Sequence, residues 1–232
     1  MKRCVTQYTW QGKLHRSYTF AVVTDLHNGN FADILPQMAG VDAILVVGDM
    51  VLRYSDSFDR AAQFIKQAPS IAPTYYSLGN HEWRLHSARQ WMEQVRLSGV
   101  HLLDNRYVRL GDDLVLGGLS AAPKESIQTG ILRRMATQPG VKLLMCHHPE
   151  WYPQYVQGQG MDVTLAGHAH GGQWTLFGQG IYAPGQGLLP KYTHGWYDDK
   201  HLLVSRGLTN TNPIPRFGNP CELLLLTMTP EG

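Results

Sequence analysis

Five short blocks of metal-binding residue types are spread through the chain, and each follows an apolar run with the composition of a β-strand. The runs cover residues 18–24, 43–47, 74–78, 141–146 and 161–166, and the blocks after them are Asp25-Leu26-His27, Gly48-Asp49, Gly79-Asn80-His81-Glu82, His147-His148-Pro149 and Gly167-His168-Ala169-His170. In an α/β sheet the strand exits gather at one edge, where loops can place side chains without disturbing the core. The sequence therefore predicts one site assembled from distant parts of the chain.

The residue types in these blocks favour two metal ions. Asp25 and His27 are separated by one residue, so at a strand end the following turn can aim both at one cation; the same holds for His168 and His170. Hard oxygen donors and imidazoles suit Mn, Fe and Zn. A carboxylate that serves two cations is the usual bridge in a two-metal site, and Asp49 is the candidate bridge.

The order D-x-H, G-D, G-N-H-E, H-x-P, G-H-x-H over residues 18–170 resembles the pattern of the calcineurin-like metallophosphoesterase superfamily. The motifs at 167–173, 205–207 and 216–219 also resemble a bacterial branch of phosphodiesterases, many of them membrane-associated. The resemblance implies an α/β fold, a four-layer α/β/β/α sandwich of two mixed sheets flanked by helices. The two-metal site would then lie at the carboxyl edge of the strands.

The resemblance also implies a role for each matching residue. One metal would be held by Asp25, His27, Asp49 and His170, and the second by Asp49, Asn80, His147 and His168. His81 would face the substrate and stabilise or protonate the leaving oxygen, so His81 and the bridging Asp49 are the predicted catalytic residues. Manganese is the expected metal, with iron, zinc and nickel as alternatives.

Several residues near the blocks keep two interpretations. His148 is expected in the pocket wall or behind the ligands, because adjacent residues of a strand point in opposite directions. Glu82 could tether its loop or be an exposed carboxylate of a first helical turn. A long loop over 186–196 is expected near the site, and residues of this loop or nearby arginines could contact substrate; the candidates are Lys191, Tyr192, His194, Arg53 and Arg216.

Two cations about 3.5–4 Å apart lower the pKa of a shared water and clamp the phosphoryl oxygens during in-line attack. The predicted function is a dinuclear-metal phosphoesterase, a phosphodiesterase in the first instance, that uses a metal-bridging hydroxide. The alternatives are a nucleotide-lipid pyrophosphate hydrolase of the UDP-diacylglucosamine type, a cyclic-nucleotide phosphodiesterase, and a non-catalytic metal-binding scaffold. A purified protein that takes up no divalent metal would favour the scaffold.

Composition sets limits on size, partners and compartment. A chain of 232 residues can bury one large core, so a single domain over 1–232 is expected. Net charge is +2 and the basic residues form no run, which argues against extended nucleic-acid binding. The expected partner is a small phosphoester, and no protein partner is evident. Unpaired thiols at Cys4, Cys146 and Cys221 favour a reducing compartment.

The N-terminal residues contain no apolar stretch of signal-peptide length, and no stretch approaches the ~20 apolar residues of a membrane span. A cytoplasmic location is therefore expected, and peripheral contact with the inner membrane face stays an alternative. Periodicity predicts helices at 31–39, 57–68, 87–97 and 126–137, and further strands at 100–103, 107–110, 114–119, 173–177, 202–205 and 222–228. Two packed sheets with helices outside accommodate this order.

Overall fold

The computed structural model describes residues 3–55, 57–123, 127–211 and 215–232. Its strands, in chain order, are β1 (Cys4–Gly12), β2 (Tyr18–Val23), β3 (Ala43–Val47), β4 (Thr74–Ser77), β5 (His101–Leu102), β6 (Arg106–Leu110), β7 (Leu114–Leu119), β8 (Val141–Cys146), β9 (Val163–Ala166), β10 (Thr175–Leu176), β11 (Gln179–Gly180), β12 (Tyr182–Ala183), β13 (Gly187–Leu188), β14 (Gly195–Tyr197), β15 (Leu202–Val204) and β16 (Glu222–Pro230). Its α-helices are α1 (Asp59–Gln67), α2 (Asn80–Trp83), α3 (Ala88–Leu97) and α4 (Gly130–Ala136).

Two mixed six-stranded sheets carry the fold. The first has the order β1-β16-β2-β3-β4-β5, in which β2 to β5 run parallel and β16 pairs antiparallel with β2. The second has the order β14-β15-β9-β8-β7-β6, with β7, β8, β9 and β15 parallel. Two short hairpins, β10-β11 and β12-β13, lie outside both sheets. The α/β fold with two mixed sheets is therefore confirmed.

Successive side chains of a central strand point to opposite faces of the sheet, and this explains how the layers form. In β3, every residue is buried, and Ile44 and Val46 pack against helices α1 and α3 while Leu45 and Val47 pack against the second sheet. This is the pattern of a parallel strand that is covered on both faces. On the other side of the second sheet, β7, β8 and β9 pack against α4 and residues 149–156. The structure thus has four layers in the order helices, first sheet, second sheet, helices, and an apolar layer lies between each neighbouring pair.

Strand β1 is an edge strand that was not predicted from the sequence. It pairs in parallel with β16 along its whole length, from Cys4 opposite Glu222 to Gly12 opposite Pro230. Its residues alternate between half-buried and exposed, as expected for a strand with one face toward solvent. The two ends of the described chain therefore meet in the first sheet.

The helix predicted over 31–39 is wrong: only a 3-10 turn, Leu35–Met38, forms there. Pro36 has no backbone N–H and its ring would clash with the carbonyl four residues earlier, so an α-helix cannot run through this position. The strand predicted over 173–177 shrinks to the two residues of β10, and the helix predicted from 126 begins at Gly130; residue 126 itself lies outside the described residues.

Within the described ranges, no helix combines the length and apolar composition that crossing a membrane requires. The three cysteines are unpaired, as the sequence predicted.

The layer between α3 and the first sheet can be tested by shortening its largest side chain. Trp91 is fully buried, with its ring 5.5 Å from Phe58 and 6.3 Å from Tyr76. We expect Trp91→Ala to lower the free energy of unfolding by about 3–5 kcal/mol, because it loses apolar burial and leaves a cavity. Urea denaturation measures the change. Leu97→Ala, in the same helix but 62% exposed, is the control and should stay within about 0.5 kcal/mol of wild type; equal losses would contradict this packing.

Candidate metal centre

The carboxyl ends of strands from both sheets meet where the predicted ligands lie. The exits of β2, β3 and β4 come from the first sheet, and those of β8 and β9 from the second. Backbone and ring contacts join them: His147 Nδ1 lies 2.8 Å from the carbonyl oxygen of Val47, and the N–H of Gly167 donates to the carbonyl of His147 at 3.0 Å. The two sheets are therefore held together at the site.

Most of the predicted ligands sit in a backbone conformation that non-glycine residues rarely adopt. The φ angles are positive at Asp25 (54°), His27 (48°), Asp49 (55°), His168 (63°) and His170 (48°). Such a conformation costs of order 1 kcal/mol or more at each residue, and residues of this kind cluster at functional sites. Five of the seven predicted metal ligands therefore have this backbone conformation, which also occurs at eight other non-glycine residues of the described chain.

Two glycines allow the strand exits to approach each other. A Cβ at Gly79 would overlap Asp49 Oδ1, and one at Gly167 would overlap Thr24 Oγ1 and crowd Asp25 Oδ2. Glycine is the residue that permits another chain segment to come this close. The glycines in G-N-H-E and G-H-x-H therefore set the distance between the carboxylates and the loops beside them.

The first candidate metal group contains Asp25, His27 and His170. One ligand atom from each lies within 4.8 Å of the others. Asp25 Oδ1 is 3.7 Å from His27 Nε2 and 3.6 Å from His170 Nε2. Asp25 is fully buried and accepts hydrogen bonds from Thr24 Oγ1 and from the N–H of His168. The structure thus brings together three of the four residues predicted for the first metal, and Asp49 lies beside them.

The second candidate group contains Asp49, His147 and His168, again within 4.8 Å of one another. Asp49 Oδ2 lies 3.1 Å from His147 Nε2, which is also 4.0 Å from Asp25 Oδ1. Asp49 Oδ1 accepts the N–H of His81 at 2.8 Å, so this oxygen is held in place while Oδ2 points to the histidines. Asp49 therefore lies close to residues of both groups, since one of its oxygens is also within 4.8 Å of a ligand atom of His27.

Some buried nitrogen and oxygen atoms of the predicted ligands have no recorded hydrogen-bond partner. Their chemistry tests whether divalent cations fit the site. Thirteen buried side-chain atoms without such a partner occur among the described residues, and four of them belong to predicted ligands: His27 Nε2, Asp49 Oδ2, Asn80 Oδ1 and His147 Nε2, of which Asp49 Oδ2 and His147 Nε2 lie 3.1 Å from each other. Unpaired buried polar atoms are rare in proteins, because each costs about 1–3 kcal/mol. All four belong to predicted ligands and all are atoms that can bind a divalent cation, so the residues present fit such ions.

The other ring nitrogens of His27 and His147 face backbone carbonyls. His27 Nδ1 lies 3.2 Å from the carbonyl oxygen of Val51, and His147 Nδ1 lies 2.8 Å from that of Val47. A carbonyl only accepts, so each Nδ1 carries its proton and each Nε2 is directed to the metal groups. Both imidazoles are thus oriented for coordination through Nε2.

His170 is oriented differently. The guanidinium of Arg216 lies 2.9 Å from His170 Nδ1, and arginine can only donate, so Nδ1 accepts. The proton of a neutral His170 is then on Nε2, and coordination through Nε2 requires its loss. Arg216 also donates to the carbonyls of Arg206 and Thr209, so it anchors this loop as well as contacting a predicted ligand. Arg216, a candidate for substrate contact from the sequence, thus has the contacts of a loop anchor.

The charges of the buried acids and bases are strongly coupled. Burial alone would raise the pKa of Asp25 and Asp49, but the surrounding histidines outweigh it and hold both pKa values well below their usual range. Burial would lower the pKa of His147, yet Asp49 and Asp25 raise it to about 10. Both carboxylates are therefore ionised at neutral pH, which is the form that binds cations.

His81 lies in the pocket beside these groups. Its Nε2 is 3.9 Å from Asp49 Oδ2, and its Nδ1 accepts the backbone N–H of Arg53 at 3.1 Å. Because Nδ1 accepts, a neutral His81 carries its proton on Nε2. Burial, together with the charges of His27 and Arg53, lowers the pKa of His81 to about 4. His81 is therefore a neutral N–H donor at pH 7, although its atoms also lie within 4.8 Å of ligand atoms of His27 and Asp49.

Glu82, which the sequence left unassigned, is buried and holds the Asp49 loop. Its carboxylate accepts the backbone N–H groups of Asp49 (3.0 Å), Met50 (2.7 Å), Val51 (3.3 Å) and Gly79 (2.7 Å). The alternative of an exposed first-turn carboxylate is wrong. One side chain thus satisfies four donors of two loops that carry predicted ligands.

A pocket of about 370 Å³ opens onto the site. His148 forms part of its wall, as predicted, and its Nδ1 lies 3.0 Å from Glu150 Oε1. The segment that reaches the pocket is Tyr182, Pro184 and Gly185 rather than the predicted loop that follows it. The candidates of that loop lie elsewhere: Tyr192 packs against Tyr197, His194 contacts Thr193, and Lys191 lies over the Tyr192 ring.

Four features of the pocket were missed from the sequence: Glu150, Arg84, Thr211 and the segment 182–185. Glu150 follows the H-x-P block within one turn, and Arg84 comes two residues after Glu82, so their closeness to motif residues was an available signal. The segment 182–185 has no such signal, because a two-residue hairpin strand places it.

Comparison with known proteins finds similarity to metallophosphoesterases. The model of the calcineurin-like phosphoesterase family matches residues 18–172. An uncharacterized metallophosphoesterase of Helicobacter pylori is 25% identical over 242 residues, which cover 95% of this chain and 62% of that protein. One of Campylobacter jejuni is 26% identical over 231 residues, which cover 93% of this chain and 60% of that protein. The chain thus spans less than two thirds of the length of these relatives.

Among solved structures, a protein of Thermus thermophilus has a TM-score of 0.47 to this chain at 13% identity, over 65% of this chain and 81% of that one.

The approach of Gly79 to Asp49 predicts the effect of adding one methyl group. In Gly79→Ala the Cβ displaces Asp49 Oδ1, so we expect manganese affinity to fall by about 10–100-fold, the usual effect of disturbing a ligand's supporting contacts. Equilibrium dialysis with elemental analysis measures it. Gly130→Ala is the control, since no atom lies within 4 Å of a Cβ there. Unchanged affinity in Gly79→Ala would show that Asp49 does not hold the metals.

Proposed function

The chain belongs to the calcineurin-like phosphoesterase family, and from this membership and the site geometry we propose that it is a two-metal phosphodiesterase. The observation that carries the proposal is the clustering of four imidazoles around two fully buried carboxylates, those of Asp25 and Asp49. Such an arrangement is unfavourable as a purely structural feature and becomes favourable when divalent cations are bound.

The proposed ligand sets extend two of the groups found in the structure by the residues that the resemblance adds, Asp49 and Asn80. Asp25, His27, Asp49 and His170 would hold one cation, and Asp49, Asn80, His147 and His168 would hold the other. Mixed oxygen and imidazole donors suit manganese first, with iron, zinc and nickel as alternatives. When bound, two such cations activate a water and neutralise the charge on the phosphoryl oxygens.

His81 supplies a donor for the leaving oxygen in this proposal. Its side chain is 14% exposed and lines the pocket, with the protonated Nε2 on the side of Asp49. A fixed N–H aimed where negative charge develops stabilises the transition state without reorganisation. The sequence left open whether His81 stabilises or protonates the leaving oxygen; the pKa of about 4 favours a hydrogen-bond donor that is neutral at pH 7.

Three observations bear on the choice among substrates. The pocket is in the usual size range of small-ligand sites, so it can take a phosphate with substituents, and the bacterial-branch resemblance favours a diester. The complete ligand set disfavours the non-catalytic scaffold. Two arginines in the pocket, Arg53 and Arg84, favour the pyrophosphate alternative as the second candidate. Comparing the turnover of cyclic and linear diesters tests the cyclic-nucleotide alternative.

The first test is hydrolysis of bis-p-nitrophenyl phosphate by metal-stripped protein before and after manganese is added. We expect turnover only with manganese, and none in Asp49→Asn, because that change removes the negative charge shared by both metal groups. Elemental analysis should show that Asp49→Asn loses both metals. Metal-independent turnover, or full activity in Asp49→Asn, would contradict the two-metal proposal.

His81→Ala should separate catalysis from metal binding. We expect it to keep two bound metals and to lose about 100-fold or more in kcat, as when a transition-state donor is removed. Stopped-flow or steady-state kinetics with parallel elemental analysis gives both values. His86→Ala, an exposed histidine outside the pocket, is the matched control and should behave as wild type. Loss of metal in His81→Ala would mean that His81 is a ligand instead.

A further inference from the structure

Glu150 lies in the wall of the pocket and has no role in the proposed function. Its side chain is 15% exposed. Glu150 Oε1 accepts the Nδ1–H of His148 at 3.0 Å and lies 3.9 Å from His168 Nε2, while Oε2 is buried with no hydrogen-bond partner among the described residues. One carboxylate thus faces two imidazoles, and one of these belongs to a predicted metal ligand.

The ring of His148 limits the positions that the His168 ring can take. It stacks on Trp151, with ring centroids 4.4 Å apart, and meets the ring of His168 edge to face at 4.1 Å. The hydrogen bond to Glu150 holds His148 in this stack. The His168 ring is therefore packed against a fixed neighbour, with a carboxylate near its Nε2.

The β12–β13 hairpin packs directly against Glu150. A Cβ at Gly185 would overlap Glu150 Oε1, and Gly185 has a φ of 74°, which favours glycine. Gly187, in the same hairpin, has a similar φ of 80°, but no atom lies within 4 Å of a Cβ there. Gly185 thus lets the hairpin approach the carboxylate closely, and this contact limits the movement of Glu150 away from the imidazoles.

The other predicted histidine ligands each have a group that determines which ring nitrogen carries the proton. Backbone carbonyls do this for His27 and His147, and the guanidinium of Arg216 does it for His170. An imidazole that binds a cation is neutral, so one nitrogen coordinates and the other keeps its proton. In His168 the nitrogen that faces an acceptor is Nε2, which leaves Nδ1 for the second metal group.

We propose that Glu150 is a positioning residue for His168: its negative charge keeps the proton of the neutral ring on Nε2 and leaves Nδ1 for the second metal group. This inference rests on the proposed function, in which His168 is a ligand. The separation of 3.9 Å is longer than a hydrogen bond, so Glu150 acts through its charge, which a partly buried site screens less than water does. Carboxylates behind ligand histidines commonly fix the ring in this way.

The experiment measures the affinity of each manganese ion and does not require turnover. Equilibrium dialysis with elemental analysis gives the dissociation constants, and EPR spectroscopy distinguishes a coupled manganese pair from a single ion. The variants are Glu150→Ala, Glu150→Gln, His148→Phe and the double variant of Glu150→Ala with His148→Phe. Glu93→Ala, which removes an exposed carboxylate outside the pocket, is the control.

We expect Glu150→Ala to weaken the binding of one manganese ion by about 10–100-fold and to leave the other unchanged, so that EPR shows a single ion where wild type shows a pair. Glu150→Gln should recover part of the loss, because its amide oxygen still accepts an N–H. His148→Phe keeps a ring against Trp151 and should retain both ions.

Two results with these variants overturn the inference. One is unchanged affinity for both ions in Glu150→Ala. The other is an equal loss in His148→Phe that does not grow in the double variant, because Glu150 would then act through His148 alone.

A second pair of variants moves the carboxylate instead of removing it. Gly185→Ala and Gly187→Ala add the same methyl group at similar positive φ angles, so their backbone strain is matched, but only the first meets Glu150. We expect Gly185→Ala to weaken the same manganese ion as Glu150→Ala, and Gly187→Ala to behave as wild type. Equal affinities in the two glycine variants contradict the inference.

Failure of the proposed function gives a different result. If wild-type protein binds fewer than two manganese ions, the two-metal proposal is wrong and the role of Glu150 falls with it. If wild type binds two ions and Glu150→Ala keeps both with unchanged affinity, only the role of Glu150 is wrong. A third ion that wild type binds and Glu150→Ala loses would make Glu150 a ligand itself, which also overturns the inference.

Discussion

The burial of two carboxylates at the junction of the two sheets is the constraint on which the site depends. Asp25 and Asp49 are fully buried, and an isolated carboxylate in a dry interior costs on the order of 20 kcal/mol in the idealised limit. His147 offsets part of this cost for both, because its Nε2 faces Asp49 at 3.1 Å and Asp25 at 4.0 Å. Divalent cations supply more charge than an imidazolium, so metal binding displaces the histidine proton and should weaken as the pH falls.

Strained loops carry these groups, and the layers beneath them keep the loops in place. Asp25 and Asp49 follow strands whose residues pack into two apolar layers, so their positions are set by the core on both sides. Glu82 adds a second restraint, because its carboxylate binds four N–H groups of the Asp49 and Gly79 segments. Positive φ angles thus persist at the ligands because strands and hydrogen bonds determine the backbone around them.

The motif residues could be predicted from the sequence because each block follows directly on an apolar strand, and parallel strands bring their carboxyl ends to one edge. Other features depend on packing that local patterns do not contain. The edge strand β1 forms because β16, at the other end of the chain, offers a partner. The helix expected at 31–39 fails at Pro36, and the segment that lines the pocket, 182–185, is placed by a hairpin of two-residue strands. The state of His81 also needed the structure, because burial and the N–H of Arg53 determine it.

The protonation state of His81 follows from its burial and from the charges around it. Burial is the largest cause of its pKa of about 4, and the charges of His27 and Arg53 lower the pKa further, while Asp49 acts in the opposite direction. The donor nevertheless persists, because a backbone N–H fixes Nδ1 as the acceptor in the neutral ring and leaves the proton on Nε2. Divalent cations bound beside His81 would also favour its neutral form. The positive charges that disfavour the protonated form of His81 would also attract the anionic substrate of the proposed function.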